Sequence, residues 1–487
     1  MTLFEKSNDV GGVWQKNYAG YALQVRAWHY SIPGYDWPKS TLKTNPKYPT
    51  GAQVQEYIKS YAKDAGLLPL IRFNVDVKQL NPLGDAGSDG WNVSWSDVSG
   101  KSHEEKFDYT IVATGLFNEP IHPGWADGLV QSSPRQHKLQ KGDDIDDVWI
   151  VDAKDFTDAS TAAGKHVAVV GGGKTAHDVA VNVGDVAASS HLIVRRGHWM
   201  APQLVFGFLP LEFATYTRWS WALQPAYYSS GGVKKTFHTI FSPVKAAAWG
   251  VFGFLFPFHT GTPSKLVPKH GLLKGIYDTI GMVDAPKVRK AFKKKKVVGH
   301  LAEIEQVNTH DRSILLSDGS KVEADIIVLA TGYRSTASSL FSPDVQVKAG
   351  FDGDGEQWLY RNVLPASNLQ NIAFIGLNAT FQHVLTTALQ SRWLVDVLQG
   401  KIKVPSEEDR LKDIEAQKKW IKKLKFPSNA TWALHGKYHD VLVKDIRGYT
   451  NAYHRLNFVG ETFGYIHNQL YASLFPGNKA LVKSFSS

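Results

Sequence analysis

Residues 165–180 read KHVAVVGGGKTAHDVA, and this stretch decides the fold. Val167 to Val170 form a short apolar, mostly β-branched run, which predicts one buried parallel strand. Gly171, Gly173 and Ala176 follow at the G-x-G-x-x-A spacing of a dinucleotide-binding turn, and a helical pattern begins behind them. Such a turn lets the backbone approach a pyrophosphate and points the helix N-terminus at it. The sequence therefore predicts a dinucleotide-binding unit here, and a plain glycine turn is the alternative.

The second strand of this unit, residues 191–194, ends in two arginines. An acidic residue at that place binds the ribose hydroxyls of NAD, whereas guanidinium groups suit the 2′-phosphate of NADP. Arg195 and Arg196 therefore predict NADPH as the cofactor, and an exposed basic pair is the alternative. Lys174 and Thr175, which follow the glycines, are further candidate contacts of this cofactor.

The length of 487 residues exceeds one ordinary hydrophobic core, so two or three domains are expected. Hydrophobic residues make up 43% of the chain and charged residues 21%, which is typical of a folded globular protein and not of a disordered one. The absence of cysteine excludes disulfides, thiolate catalysis and cysteine-ligated metals. The histidines show no ligand spacing, so we expect no metal site.

The chain carries a net charge of +10, with dense lysine runs at residues 293–296 and 418–425. We interpret these runs as a solvated surface; attraction of a phosphate-rich cofactor or of an anionic membrane surface is the alternative. No nucleic-acid-binding motif accompanies the lysines, so nucleic acid is not expected as a partner. The apolar run at residues 246–258 is too short to span a bilayer. We favour a buried helix or a channel wall for it over an interfacial membrane contact beside Lys235 and Lys245.

The N-terminal region carries a second dinucleotide signature. Glu5 closes a predicted strand, where an acidic residue accepts ribose hydroxyls. The sequence FEKSNDVGGVW at residues 4–14, with Ala-Thr-Gly strand ends at 113–115 and 330–332, resembles the flavin-containing monooxygenase family. This family lies within the wider class of two-dinucleotide-domain flavoproteins that includes Baeyer–Villiger monooxygenases. The resemblance covers most of the chain, to about Trp393.

The resemblance implies an α/β fold with two Rossmann-like dinucleotide-binding domains, in which an NADPH domain interrupts the FAD domain. It implies a first FAD-binding part at residues 1–160 and an NADPH-binding domain at 161–330, with an aromatic-rich helical insertion at about 200–290. The second FAD-binding part and the C-terminal tail then occupy 331–487. The residues that match the family's flavin-side positions are Glu5, Gly12, Trp14, Gln24, Thr114, Gly115, Thr331, Gly332 and Gln390.

Three features depart from the family pattern. The first strand, glycine turn and helix of the FAD domain are absent ahead of Glu5, so we expect a shortened gene product or weak flavin binding. Asp152 stands where the family has a histidine ahead of the nicotinamide motif, a position that bears on the coupling of the two cofactors. Arg26 aligns with an asparagine that many members place near the flavin C4a atom, so that role has no assigned residue.

The activity that the resemblance implies is a monooxygenation. NADPH reduces FAD, and the reduced flavin reacts with O2 to a C4a-hydroperoxide, which oxygenates a soft nitrogen or sulfur centre of a small organic substrate. Two alternatives stay open: Baeyer–Villiger oxygenation of a ketone, and a flavin-deficient relative that binds NADP(H) or a hydrophobic ligand without oxygenation. No side chain is assigned as catalytic. We expect a cytoplasmic protein with an optional peripheral membrane contact; the sequence does not indicate its oligomeric state.

Overall fold

The N-terminal part of the chain forms short strands around one long helix, in a computed structural model that describes residues 1–39, 48–131, 148–278, 280–425, 435–448 and 458–481. β1 pairs with β2 in parallel, and β3, β4 and β5 form an antiparallel sheet. Helix α1 begins behind Thr50, whose side chain and that of Gln53 form a capping box. These elements are β1 (Leu3–Phe4), α1 (Gly51–Asp64), β2 (Ile71–Arg72), β3 (Asp76–Pro82), β4 (Trp91–Ser96), β5 (Ser102–Phe107), β6 (Thr110–Val112) and β7 (Glu119–Pro120).

The middle of the chain is built around the predicted dinucleotide unit. Its elements are β8 (Trp149–Asp152), β9 (His166–Val170), α2 (Lys174–Val183), β10 (Ser189–Val194), β11 (Trp199–Pro202), β12 (Leu204–Val205), β13 (Leu209–Pro210), α3 (Arg218–Ala222), α4 (Gly232–Ile240), α5 (Ser242–Thr260), α6 (Leu272–Ile276), β14 (Ile280–Val283), α7 (Ala285–Lys293), β15 (Val298–Leu301), β16 (Ile304–Asn308), β17 (Ser313–Leu316), β18 (Lys321–Glu323) and β19 (Ile326–Leu329).

Five of these strands form one parallel sheet in the order β15-β10-β9-β19-β8. β9 lies at its centre, and Val167, Ala168 and Val169 are fully buried, which explains the continuous apolar run in the sequence. β10 and β19 flank β9, so the chain crosses from one side of the central strand to the other. The carboxyl ends of these three strands meet at one edge, where such sheets bind their ligands.

Strand β8 belongs to this same sheet, because its residues pair with β19 from Trp149 to Asp152. The expected domain division placed these residues in the first flavin part, at 1–160. We therefore propose that the boundary lies before Trp149.

The C-terminal part returns to the strands of the N-terminal part. β21 pairs in parallel with β6, and β20 pairs antiparallel with β7. This return confirms the predicted fold, in which one dinucleotide-binding domain interrupts the other. In the described part of the chain, the pairs β1–β2 and β6–β21 are separate two-stranded sheets. The elements of this part are β20 (Tyr333–Arg334), α8 (Pro343–Lys348), β21 (Ile372–Phe374), α9 (His383–Leu398), α10 (Glu407–Leu424), α11 (His435–Arg447), α12 (Phe458–Phe463) and α13 (Pro476–Leu481).

The insertion between β10 and β15 contributes some of its aromatic side chains to the hydrophobic core and exposes others to solvent. Its tryptophans at 199, 221 and 249 join a hydrophobic core with Trp393 of α9 and Tyr438 of α11. Within residues 246–258, however, only Trp249 and Phe256 are buried. The buried-helix part of the favoured interpretation is therefore wrong for most of this run, because apolar side chains cover both faces of α5 and only one face has a core to pack on. The channel-wall part stays a prediction.

Candidate functional site

The glycine turn holds the ends of two strands against each other. Gly171 has φ +140°, and a Cβ on it would lie 2.2 Å from the carbonyl oxygen of Ala330. Only glycine permits this approach of β9 to the end of β19. Gly173 begins α2, and a Cβ on it would meet no protein atom within 4 Å. Ala176 is fully buried, so the helix packs closely on the sheet. The space beside Gly173 at the helix N-terminus is free of protein atoms, as the binding of a pyrophosphate requires.

The side chains that follow the glycine turn bind to one another and to Tyr18. Lys174 forms an ion pair with Asp178, and the Tyr18 hydroxyl donates to Asp178 Oδ2 at 3.0 Å. Burial raises the pKa of Tyr18 well above its ordinary value, so Tyr18 stays protonated as a donor. Asp178 therefore ties α2 to the N-terminal part through Tyr18, and it also shares the charge of Lys174.

The two arginines after β10 differ in their surroundings. Both are exposed, and Arg196 Nη2 lies 3.0 Å from Asp278 Oδ1. Arg195 has no ion pair with a described residue. A guanidinium group without a protein carboxylate can bind a phosphate with all its donors. The structure thus leaves Arg195 as the freer of the two candidate contacts for a 2′-phosphate.

The N-terminal candidates lie at the ends of short elements. Glu5 closes β1, and its Oε1 accepts from the Ser7 backbone N–H at 2.8 Å and the Ser7 hydroxyl at 2.6 Å. Gly12 has φ +53° and faces open space. Trp14 Nε1 donates to the Tyr30 hydroxyl at 2.8 Å. Glu5 thus keeps its second oxygen for a ligand, whereas the Trp14 indole N–H is used within the protein.

Gln24 makes a contact that the sequence does not indicate. Its Oε1 accepts from the Met282 backbone N–H at 2.8 Å, which ties the N-terminal segment to β14 of the insertion. The side chain is otherwise exposed. Gln24 therefore lies at the junction between the flavin side and the nicotinamide side.

The two Ala-Thr-Gly strand ends lie where the chain passes between the two dinucleotide-binding domains. The Thr331 hydroxyl donates to the Ile121 carbonyl at 2.5 Å, and the Ile121 N–H donates to the Gly332 carbonyl at 2.9 Å. On the other crossing, Gly115 has φ +77° and faces open space, while Thr114 is exposed. Gly332 also has a positive φ, of +103°. Both glycines thus take conformations that other residues avoid, at the point where the chain enters and leaves the inserted domain.

Gln390 differs from the other candidates because its side chain is buried and bonded only within the protein. Its side chain is completely buried on α9, where Oε1 accepts from the Gly376 N–H at 2.9 Å. Its amide nitrogen donates to Asn378 Oδ1 at 2.8 Å and to the Tyr438 hydroxyl at 2.9 Å. No surface of the side chain is exposed, so a role of Gln390 at the flavin stays a prediction. Gln390 fixes the turn at Gly376, which has φ +72°.

A buried ion pair that sequence reasoning missed joins the insertion to the N-terminal segment. Glu212 is 1% exposed, and its Oε1 accepts from the Arg26 backbone N–H at 3.3 Å and lies 3.8 Å from Arg26 Nε. Burial raises the pKa of the Glu212 carboxyl above its ordinary value. The available signal was a lone acidic residue in the apolar stretch Leu209–Ala214, since polar groups are rarely buried without a partner.

Next to this pair lies a small apolar cavity. Its volume is ≈ 30 Å3, room for about two water molecules, so it does not hold an organic substrate in this state. Tyr216, Trp249, Phe256, Met282 and His435 are among the residues that line it. Since Met282 is held by Gln24 and Tyr216 follows Glu212 closely, the cavity lies near these two contacts of the insertion with the N-terminal segment.

Asp152 also has a partner that the sequence does not indicate. It ends β8 at the ligand-binding edge of the sheet, and its Oδ1 lies 2.9 Å from His122 Nε2. A histidine thus reaches the family's histidine position from another segment. Among the described residues there is no group of three or more side chains that could hold a metal ion.

Comparison with known proteins gives a consistent picture. A family model described as flavin-binding monooxygenase-like matches residues 1–229 and 289–458. The probable flavin-containing monooxygenase 1 of Arabidopsis thaliana is 24% identical over 527 residues, covering 96% of this chain and 91% of the relative. Human flavin-containing monooxygenase 3 is 25% identical over 450 residues, covering 87% and 74%.

Two solved structures share the fold at low sequence identity. S-allyl-L-cysteine S-oxygenase from Allium sativum superposes with a TM-score of 0.58 at 16% identity, covering 99% of this chain and 88% of that one. Cyclohexanone monooxygenase from Rhodococcus sp. Phi1, bound to NADP+, superposes with a TM-score of 0.61 at 16% identity, covering 92% of each chain.

Proposed function

Because the chain belongs to the flavin-binding monooxygenase-like family, we propose that it transfers one oxygen atom from O2 to a soft nitrogen or sulfur centre of a small organic molecule. Family membership makes the protein an NADPH-dependent flavoprotein monooxygenase with FAD and NADPH as its cofactors. The substrate class is the proposed part.

The observation that supports the cofactor side of this activity is the open helix N-terminus at Gly173. The absence of protein atoms beside its Cβ position leaves a cradle for the NADPH pyrophosphate, and exposed Arg195 is the candidate for the 2′-phosphate. On the flavin side, Glu5 has a free carboxylate oxygen for ribose hydroxyls, and Gly12 and Gly115 leave their backbones open to a ligand. FAD, when bound, supplies the oxygen-activating chemistry. The protein's task is then to orient the substrate and to exclude water.

Baeyer–Villiger oxygenation of a ketone is the second candidate function. It is favoured by the fold shared with cyclohexanone monooxygenase, while the fold shared with an S-oxygenase favours the first.

One experiment separates these candidates. The purified chain is supplied with FAD, and its visible spectrum is followed while NADPH is added under argon; bleaching of the flavin band is expected. Air is then admitted with a thioether, a tertiary amine or cyclohexanone, and the products are identified by mass. A sulfoxide or N-oxide supports the proposal, and a lactone supports the alternative. A protein that takes up no FAD would be a flavin-deficient relative and would contradict both.

We also propose that the protein works in the cytoplasm with a peripheral membrane contact. The contact is suggested by α4 and α5. Among the described residues no single helix is long and apolar enough to cross a membrane. The two helices of this pair, which are bent by 58° relative to each other, have the necessary length and apolar composition only when taken together.

A further inference from the structure

Helices α4 and α5 carry an exposed apolar surface in a part of the chain that the family model leaves unmatched, residues 230–288. Val233 is 86% exposed, Ile240 67% and Phe254 77%. We call this the helix-pair surface, and define it by Val233, Ile240, Val244, Val251, Phe254 and Phe258. Contiguous apolar patches on a protein surface mark an interaction site more often than single apolar residues do.

The periodicity of α5 shows that its exposed apolar residues lie on the side of the helix opposite to its buried residues. Val244, Val251, Phe254 and Phe258 recur at helical spacing along one stripe. The buried residues of the helix, which are Lys245, Trp249, Phe256 and Thr260, form the opposite stripe. A helix that lies on a protein core in water normally presents polar residues on its outer stripe. α5 presents valine and phenylalanine there instead.

The surroundings of this surface are basic. Between Glu212 and Asp278 the chain contains no acidic residue and seven lysines or arginines, including exposed Lys234 and Lys235 on α4. At the end of α5, the Arg289 guanidinium lies 5.0 Å from the centre of the Phe258 ring. An apolar centre beside exposed lysines complements the acyl boundary and the headgroups of an anionic membrane.

We propose, as an inference that rests on the peripheral membrane contact of the proposed function, that the helix-pair surface docks the protein onto anionic phospholipid membranes, with α4 and α5 lying in the interface plane. The charge pattern disfavours a second copy of the chain as the occupant, since association would bring two acid-free, cationic regions together. The inner stripe of α5 lines the apolar cavity through Trp249 and Phe256. One helix therefore separates that cavity from the lipid face.

Vesicle sedimentation of the full-length chain tests this proposal without any readout of activity. The vesicles are phosphatidylcholine alone, or phosphatidylcholine with about 30% phosphatidylserine. We expect binding to the anionic vesicles that weakens with salt. The double variant I240S/F254S should bind at least roughly tenfold more weakly, because each side chain contributes apolar burial. The variant K234Q/K235Q should lose roughly fivefold or more for each lysine.

Matched controls show whether the effect belongs to this surface. Val347 on α8 is 73% exposed, so V347S removes a comparable apolar side chain elsewhere. K422Q/K423Q removes two exposed lysines from α10. Both controls should bind like the unaltered chain. The proposal is overturned if the folded protein does not bind to anionic vesicles, or if the control substitutions weaken binding as much as the surface substitutions do.

Two further outcomes identify a different occupant and also overturn the proposal. If the chain is a dimer by light scattering without vesicles and I240S/F254S makes it monomeric, the surface is an interface between copies. If the bound protein resists extraction by salt and by alkaline carbonate, the bent pair inserts as a span and does not lie in the interface.

Discussion

Gly171 and Gly173 lie two residues apart, and the structure predicts opposite consequences when each is changed to alanine. At Gly171 the new Cβ would lie 2.2 Å from the Ala330 oxygen, so β9 and β19 must separate by about 1 Å to restore ordinary contact. The residue would also keep a strained φ of +140°. Overpacking costs about 1–3 kcal/mol and such backbone strain about 1–3 kcal/mol. G171A should therefore lose about 2–6 kcal/mol of unfolding free energy.

Gly173 has an extended backbone, with φ −80° and ψ −176°, which alanine adopts freely. Its methyl group enters open space, so G173A should lose less than about 1 kcal/mol of stability. The same methyl group occupies the place of the pyrophosphate and displaces charge-assisted hydrogen bonds worth about 1.5–3 kcal/mol. The dissociation constant for NADP+ should therefore rise roughly tenfold to a hundredfold.

Urea unfolding measures the first quantity and titration calorimetry with NADP+ the second. G173A is thus the stability control for G171A. Equal stability of the two variants would refute the close crossing of β9 and β19. Unchanged NADP+ affinity of a folded G173A would refute the placement of the pyrophosphate at this turn.

Three further predictions concern single side chains. R195A should raise the Michaelis constant for NADPH roughly tenfold and leave that for NADH unchanged, because only NADPH carries the 2′-phosphate; equal effects on both would contradict the assignment. In a double-mutant cycle of R26Q and E212Q, urea unfolding should give a coupling energy of about 0.5–2 kcal/mol, since the pair is largely buried; no coupling would mean that the contact contributes no stability. Burial lowers the pKa of His439 well below its ordinary value, so its contribution to stability is complete above about pH 6.5 and is lost as the pH falls toward the lowered pKa. The melting temperature should therefore fall on acidification, and H439Q should fall less steeply.

Local spacing was enough to predict the centre of the fold. The strand before Gly171, the helix behind Gly173 and the close packing at Ala176 are all set by residues within one short stretch, and the structure contains all three. The same holds for the return of the chain after the second Ala-Thr-Gly, because that end closes the fully buried strand β19. These features depend on neighbours in sequence, which a single sequence displays.

The polar partners could not be predicted in this way. Gln24 bonds to Met282, which is 258 residues away, and Arg26 bonds to Glu212 across 186 residues. Gln390 matched a family position, but its burial depends on Tyr438, which comes from a later helix. Hydropathy likewise could not decide which face of α5 is buried, because both of its faces are apolar.

The Gln24–Met282 and Arg26–Glu212 contacts decide which property a variant of the insertion reports on. The insertion follows Arg196 directly in the chain, and it holds the N-terminal segment through Met282 and Glu212. One end of it is therefore attached to the nicotinamide side and its interior contacts to the flavin side. A change at Glu212 alters the junction between the cofactor sides and leaves both cofactor contacts in place. A loss of NADPH affinity in R195A and a loss of coupling between Arg26 and Glu212 are thus separate results, and neither can stand in for the other.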